Sequence, residues 1–586
     1  MFRERNPRIG QGAAGWVNAA ESRLFGINQF TGKCRNSRRG FSRVYLRIRF
    51  SPFHFHVAQR AILLSFCEMN RFLTTFVVAP LLIAAAAAQT PKPKLVITIV
   101  VDQFRYDYLT RFASQYNGGL ATLLKKGAVF TNARYDQFPT VTAVGHSIIL
   151  SGANPAESGI VGNTWYSREE HRLVTAVCDN SVETVGAPSP PAAANADCTD
   201  ASPASPRRML VDTVGDELKM ANPKSKVIGI SLKPRAAILP SGHMANGAFW
   251  FDESGVFVSS SFYGKELPQW AVDFNKPRPA DQYAGKEWMG TKFGSGRDLY
   301  RAIPASPWGN ELVEFFAESA IEGENLGGRD TTDLLAISFS SNDYVGHRLG
   351  PDSPAVEDMA LRTDHVLDRF FHFLTSRHLG PQDILVVFSA DHGVAPLPEK
   401  NAERKMPGKR IAGTEVSKVV QDALTARFGP GEWLIQKPVE YVLYLNLDLL
   451  KEKKLSPSEV SRVAADALSN EPYIYRVYTR EALASGVSTD RIATAMTKGF
   501  FSRRSGDLFV LLDPYWIPYP TGTTHGTPFN YDTHVPVIFM GAGVRSGAYN
   551  RNVSVTDIAP TLATMLGIQM PAGAEGSTLT EMMAGN

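Results

Sequence analysis

LVITIVV at 95–101 stops at Asp102, LLAISFSSN at 334–342 stops at Asp343, and ILVVFSA at 384–390 stops at Asp391. Each run is an uninterrupted block of β-forming residues, as expected of strands buried on both faces of a mostly parallel sheet. In an open α/β sheet, ligands and reacting groups collect outside the carboxyl ends of the strands. His347 follows Asp343 by four residues and His392 follows Asp391 directly. Three carboxylates delivered to one edge with imidazoles beside them have the composition of a metal site.

Working outward, strand-like and helix-like runs alternate, which predicts an α/β fold with a parallel sheet covered by helices. Further strands are expected at 227–232, 506–512 and 535–540, and helices at 118–126, 142–150, 311–321, 354–375 and 554–567. In the fourth helix Met359, Val366, Phe370 and Leu374 recur at helical spacing and read as core. No repeat of 20–50 residues is present, which excludes a solenoid or propeller. Residues 183–207 are rich in Pro, Ala and Ser and read as a surface loop. Residues 396–505 form a charged excursion, with helix-like stretches at 414–427 and 456–468 and the strand-like VEYVLYLNL at 439–447. Because this excursion falls between Asp391 and His525, it reads as a small α/β cap inserted into one catalytic domain of 89–586.

The chain has 586 residues and a formal charge of +4, but that charge averages two unlike parts. Residues 1–88 hold 13 Lys/Arg and 3 Asp/Glu, leaving 48 basic and 54 acidic residues in 89–586 and a net charge of −6 there. A mildly acidic body gives no reason to expect nucleic-acid binding. Residues 69–88, MNRFLTTFVVAPLLIAAAAA, have the basic, apolar and small-residue parts of an export signal ending before Gln89. Pro80 and the alanine-rich end disfavour a permanent membrane span. Residues 1–68 are Arg-rich and aperiodic, and translation is expected to begin at Met69, since a signal 68 residues in is hard to use. A periplasmic or extracellular body retains Cys178 and Cys198, which read as one disulfide, with two free thiols as the alternative.

Asp343 and His347 share a side if they lie on one helical turn. Asp391 and His392 reach one ion only if the backbone turns between them, which Gly393 permits. A different ingredient comes from FPTVTAVGHSIILSG at 138–152, where two threonines precede an apolar helix. A hydroxyl at a helix start sits in the positive end of the dipole, either as a plain cap or as a nucleophile activated by a nearby cation.

Seven motifs now make a specific resemblance: IVVDQFRYDYL, PTVTAVGHSIILSG, GIVGNTWY, SLKPRAAILPSGH, SNDYVGH, SADHGVA and THGTPFNYDTHVPVIFMG. The chain resembles the alkaline phosphatase superfamily, in its type I phosphodiesterase/nucleotide pyrophosphatase branch, and most closely the phosphate-irrepressible bacterial alkaline phosphatases with a threonine nucleophile. The resemblance implies Thr142 as nucleophile and two zinc ions per chain. One ion would be held by Asp343, His347 and His525, the other by Asp102, Thr142, Asp391 and His392. It assigns His525 over His534, between which spacing does not choose. Asn163, Lys233 and Arg235 are implied to contact the phosphoryl group. Calcium besides zinc, and the oligomeric state, are left open.

A monoester's phosphoryl group carries two negative charges and a diester's one, so Lys233 and Arg235 favour small-molecule phosphate monoesters. A nucleotide pyrophosphatase/phosphodiesterase is the alternative; a non-catalytic secreted metal-binding protein is disfavoured by Thr142, which a structural site does not need. Cys34-Arg35-Asn36-Ser37-Arg38 faintly resembles a sulfatase signature but lacks its proline. His146, His243 and His534 read as supporting or core histidines.

Overall fold

The computed structural model describes residues 92–187, 197–435, 441–486 and 490–584. The upstream stretch 1–68, the expected export signal at 69–88 and the start of the strand-like run at 439–447 lie outside the described residues.

The main sheet has ten strands, numbered here in chain order: β1 (Leu95–Val101), β2 (Ala128–Phe130), β3 (Thr184–Val185), β4 (Val227–Ser231), β5 (Gly247–Phe251), β6 (Phe257–Ser260), β7 (Asp333–Phe339), β8 (Ile384–Ser389), β9 (Val537–Gly541) and β10 (Gly547–Tyr549). They lie in the order β10-β2-β9-β8-β1-β7-β4-β5-β6-β3. The five central strands, β8, β1, β7, β4 and β5, run parallel. All residues of β1, β7 and β8 are buried, which is why their sequences read as continuous apolar runs.

Register brings the chemistry together. Val101 pairs with Phe339, Val100 with Ser389, and Ser338 with Ser231. The segments bearing Asp102, Asp343, Asp391 and Lys233 therefore leave the sheet side by side at its carboxyl edge.

Two expected strands take other roles. The run expected at 535–540 is β9, antiparallel to β8, so the sheet is mixed beyond its parallel centre. The run expected at 506–512 forms Leu508–Leu512, the middle strand of a separate three-stranded sheet with Val442–Leu443 and Ile474–Thr479. With helices Glu415–Phe428 and Pro457–Ser469 it encloses a second apolar core around Trp433, Val420 and Val460. That core takes in Leu508, Val510 and Leu512, beyond the expected limit at 505, because the sheet needs a central strand. Among the described residues no helix is long and apolar enough to cross a membrane.

Candidate active site and metal centre

Helix α1 (Thr142–Ser151) begins the site. Val141 is its N-cap and Thr142 its first residue, and no side chain caps it, so Thr142 is not a plain helix cap. Its Oγ1 lies 3.4 Å from His392 Nε2 instead. Asn163 Oδ1 accepts the Ala143 N–H (2.8 Å), which pins the amide to the positive end of the helix.

Asp102 follows β1 directly and is fully buried. Asp343 and His347 both lie on α2 (Ser341–Leu349), one turn apart, with His347 Nε2 3.1 Å from Asp343 Oδ1. His525 enters from the loop before β9, its Nε2 3.8 Å from the same oxygen. His392 Nε2 is 3.4 Å from Asp391 Oδ2 and 3.5 Å from Asp102 Oδ1.

Three imidazoles are oriented by one device. His347 Nδ1 meets Thr523 O (2.8 Å), His392 Nδ1 meets Gly393 O (2.9 Å), and His525 Nδ1 meets Thr140 O (2.8 Å). A carbonyl only accepts, so each ring carries a proton on Nδ1 and turns its Nε2 to the carboxylates. This is the arrangement a metal-ligating histidine requires. Burial lowers the His347 pKa, but Asp343 outweighs it and raises it. The rings of His392 and His525 stack at 3.5 Å. Burial holds His392 below its usual pKa; burial, with His392 and His347 adding to it, does the same more strongly for His525. Both are thereby kept in the neutral, ligating form.

Among the described residues two groups have ligand atoms within 4.8 Å of one another: Asp343, His347 and His525, and Asp102, Asp343 and His392. Asp391 stands at the rim of the second, with Oδ1 taken by the Gln103 N–H (3.0 Å) and Oδ2 3.2 Å from His146 Nδ1. Asp102 Oδ1 and Asp391 Oδ2 are buried and accept no hydrogen bond among the described residues. Buried carboxylate oxygens without donors, facing neutral imidazoles, fit a divalent cation.

The electrostatics are those of crowded carboxylates. Burial, with Asp343 and Asp391 adding to it, pushes the Asp102 carboxyl well above its usual range. Burial pushes Asp343 up as well, but His347 and Lys233 outweigh it and hold that carboxyl well below. For Asp391 burial is outweighed by His392 and His146. Lys233 is 2% exposed, and its Nζ lies 2.6 Å from both Asp102 Oδ2 and Asp343 Oδ2. Arg235, also largely buried, donates from Nη1 to both oxygens of Asp200. Lys233 therefore belongs to a buried ion pair, whereas the carboxylate partner of Arg235 faces solvent.

Sequence reasoning missed several supports. Gln103 bridges the centre, its backbone N–H on Asp391 and its Nε2 donating to Asp343 Oδ1 (2.6 Å), at a φ of 64° unusual for a side-chain-bearing residue. A Cβ on Gly346 would lie 1.8 Å from Gln103 Oε1, so the glycine of SNDYVGH makes room for this bridge. Gly393, read as permitting a turn after Asp391 and His392, has no positive φ and also serves close approach, since a Cβ there would lie 2.2 Å from Tyr531 O. His146, read from the sequence as a supporting or core histidine, is buried, with Nδ1 on Thr142 O (2.9 Å) and Nε2 on Ser338 Oγ (2.8 Å). His534 stacks on Tyr106 and His243 meets Met209 O, both away from the centre. Cys178 and Cys198 are disulfide-bonded.

The fold is that of the alkaline phosphatase class, a wide sheet that here carries carboxylates and imidazoles at the carboxyl ends of its parallel strands. The type I phosphodiesterase / nucleotide pyrophosphatase family matches residues 96–534, and the chain belongs to it. It is 37% identical over 549 residues to alkaline phosphatase PafA of Elizabethkingia meningoseptica, covering 87% of this chain and 98% of that protein. It is 36% identical to alkaline phosphatase PhoV of Synechococcus elongatus, covering 84% and 93%. The crystal structure of wild-type PafA matches with a TM-score of 0.77 at 35% identity, over 85% of this chain and 100% of that one. A PafA variant with one threonine, one asparagine, one lysine and one arginine substituted matches with the same TM-score, 0.77.

Proposed function

We propose that this protein is a zinc-dependent phosphomonoesterase, an alkaline phosphatase that works through a phosphothreonine on Thr142. The observation that carries the reading is the setting of Thr142: first residue of α1, its Oγ1 beside His392 Nε2, with Lys233 buried among the same carboxylates. The four residue types substituted in the PafA variant support it. Their threonine–asparagine and lysine–arginine separations equal those of Thr142–Asn163 and Lys233–Arg235.

Asp343, His347 and His525 would hold one zinc, and Asp102, Asp391, His392 and Thr142 the other. When bound, the two ions supply Lewis-acid chemistry, lowering the pKa of a hydroxyl and stabilising charge on the leaving oxygen. Thr142 Oγ1 forms the new bond to phosphorus as the substrate's ester oxygen leaves, and water then cleaves the phosphothreonine to release phosphate and restore the hydroxyl. Asn163, with its Oδ1 fixed by the Ala143 N–H, turns its amide nitrogen to a phosphoryl oxygen. The α1 N-terminus favours the same negative charge. Lys233 and Arg235 offset the dianion.

The Cys178–Cys198 disulfide accords with an oxidising compartment, and the layout of 69–88 with export there, the mature chain beginning near Gln89. Turnover of nitrophenyl phosphate against bis-nitrophenyl phosphate tests the substrate class. The monoester should dominate; preference for the bis-ester would place the protein among the diesterases of its family.

A further inference from the structure

Arg235 is not placed by its own helix alone. It follows Pro234 in the first turn of Pro234–Ser241, and its guanidinium is held from the far side by Asp200, whose two oxygens lie 2.8 and 2.7 Å from Nη1. Asp200 spends both oxygens on that one nitrogen, while Arg235 Nε is buried without a hydrogen-bond partner. Arg235 in turn holds the Asp200 carboxyl below its usual range. Asp200 is more than half exposed. Its position comes from covalent and backbone ties.

Those ties lead back to the nucleophile. Cys198, two residues earlier, is bonded to Cys178, and its N–H donates to Leu173 O (3.0 Å). The Leu173 N–H donates to Asp197 Oδ1 (2.8 Å). A turn closed by Ser202 N–H to Thr199 O (3.0 Å) and Thr199 N–H to Ser202 Oγ (3.0 Å) then presents Asp200. Leu173 lies in strand Arg172–Thr175, which pairs with Thr164–Ser167, the strand that follows Asn163. The Ala176 N–H donates to Asn163 O (2.9 Å). The hairpin that follows Asn163 is therefore tied, through the disulfide and the Leu173 hydrogen bonds, to the segment that bears Asp200.

We infer that Asp200 is a positioning residue, presented by the Cys178–Cys198 tether, which fixes the Arg235 guanidinium for the phosphoryl group of a monoester. This rests on the phosphomonoesterase reading above. An arginine has several side-chain torsions to fix before its planar fork meets two oxygens, and a carboxylate already on one nitrogen fixes them before substrate arrives. Asp200 also cancels much of the guanidinium's net charge. What it contributes is direction, and misdirection of a phosphoryl contact is felt as lost rate.

The test is a double-mutant cycle in the zinc-loaded enzyme, with Asp200→Asn, Arg235→Ala and the double variant. Asp200→Asn should lower monoester kcat/KM about tenfold in the wild-type background and less than about twofold in Arg235→Ala, because the residue acts only through the guanidinium. The pair Cys178→Ser/Cys198→Ser should give a similar loss and add little to Asp200→Asn. Equal losses in both Arg235 backgrounds would mean a general structural role and overturn the inference. So would an unchanged or higher kcat/KM in Asp200→Asn, which would make Asp200 a spectator or a competitor for Arg235. Inorganic phosphate affinity, measured by calorimetry on the same proteins, separates the two levels of argument. If the wild type turns over no monoester, the functional reading fails, and the cycle is decided by phosphate affinity alone, coupling supporting the inference and additivity overturning it.

Discussion

Lys233→Ala is the perturbation whose effect follows most closely from the geometry. The ammonium is 2% exposed and lies 2.6 Å from both Asp102 and Asp343, in a site with little water to screen it. At an effective dielectric of about 20, a charge pair about 4 Å apart is worth about 4 kcal/mol. Two carboxylates already share this cation, so a charge-assisted hydrogen bond of about 1.5–3 kcal/mol is the better measure of what the substrate gains. That corresponds to about a 10- to 100-fold loss of monoester kcat/KM. A diester phosphoryl group carries half the charge, so its loss should be about 3- to 10-fold on the same reasoning. The assay compares nitrophenyl phosphate and bis-nitrophenyl phosphate on wild type and variant, with zinc content measured in each because Lys233 touches two candidate ligands. Equal fold losses on both substrates at full zinc content would refute the assignment of Lys233 to monoester preference.

Other outcomes follow from the same site. Chelation should abolish activity and zinc should restore it; His347→Ala should lower the zinc stoichiometry measured by atomic absorption, and unchanged stoichiometry would remove His347 from the ligand set. Burial pushes the Asp532 carboxyl up from 3.8 to about 7 in the folded state. An acid so raised contributes stability that is fully present below the unfolded value and lost as pH rises through the folded one. Asp532→Asn should therefore raise Tm more at pH 9 than at pH 5, and equal offsets at the two pH values would count against a buried charge there. N-terminal sequencing of exported protein should start close to Gln89; a secreted chain retaining residues 1–68 would contradict the export reading.

What the sequence made legible was whatever a strand end or a local spacing encodes. Asp102, Asp343 and Asp391 could be found because each interrupts a buried parallel strand, and the i, i+4 pair Asp343–His347 because α2 continues past the strand. His525 was not decided by spacing, since both it and His534 follow a threonine; which one enters depends on the loop before β9 and its hydrogen bond to Thr140 O. Gln103 carried no signal beyond its place after Asp102, because its role depends on a left-handed backbone and on the space above Gly346. Asp200 was invisible for a different reason. It lies in a loop of small polar residues, and only the disulfide and the hairpin around Leu173 determine where it points. The run at 506–512 reads as one more strand of the main sheet but pairs in the separate three-stranded one, because an apolar run does not state which edge it will pair with.

The central claim is that Thr142 is the nucleophile, and mass spectrometry of acid-quenched enzyme tests it most directly. Zinc-loaded wild type mixed with a phosphate monoester should carry one phosphate on the peptide containing Thr142. Thr142→Ala should carry none, with its zinc retained and its turnover lost. A Thr142→Ala enzyme that keeps near-normal turnover, or a phosphate found on another residue, would contradict the account.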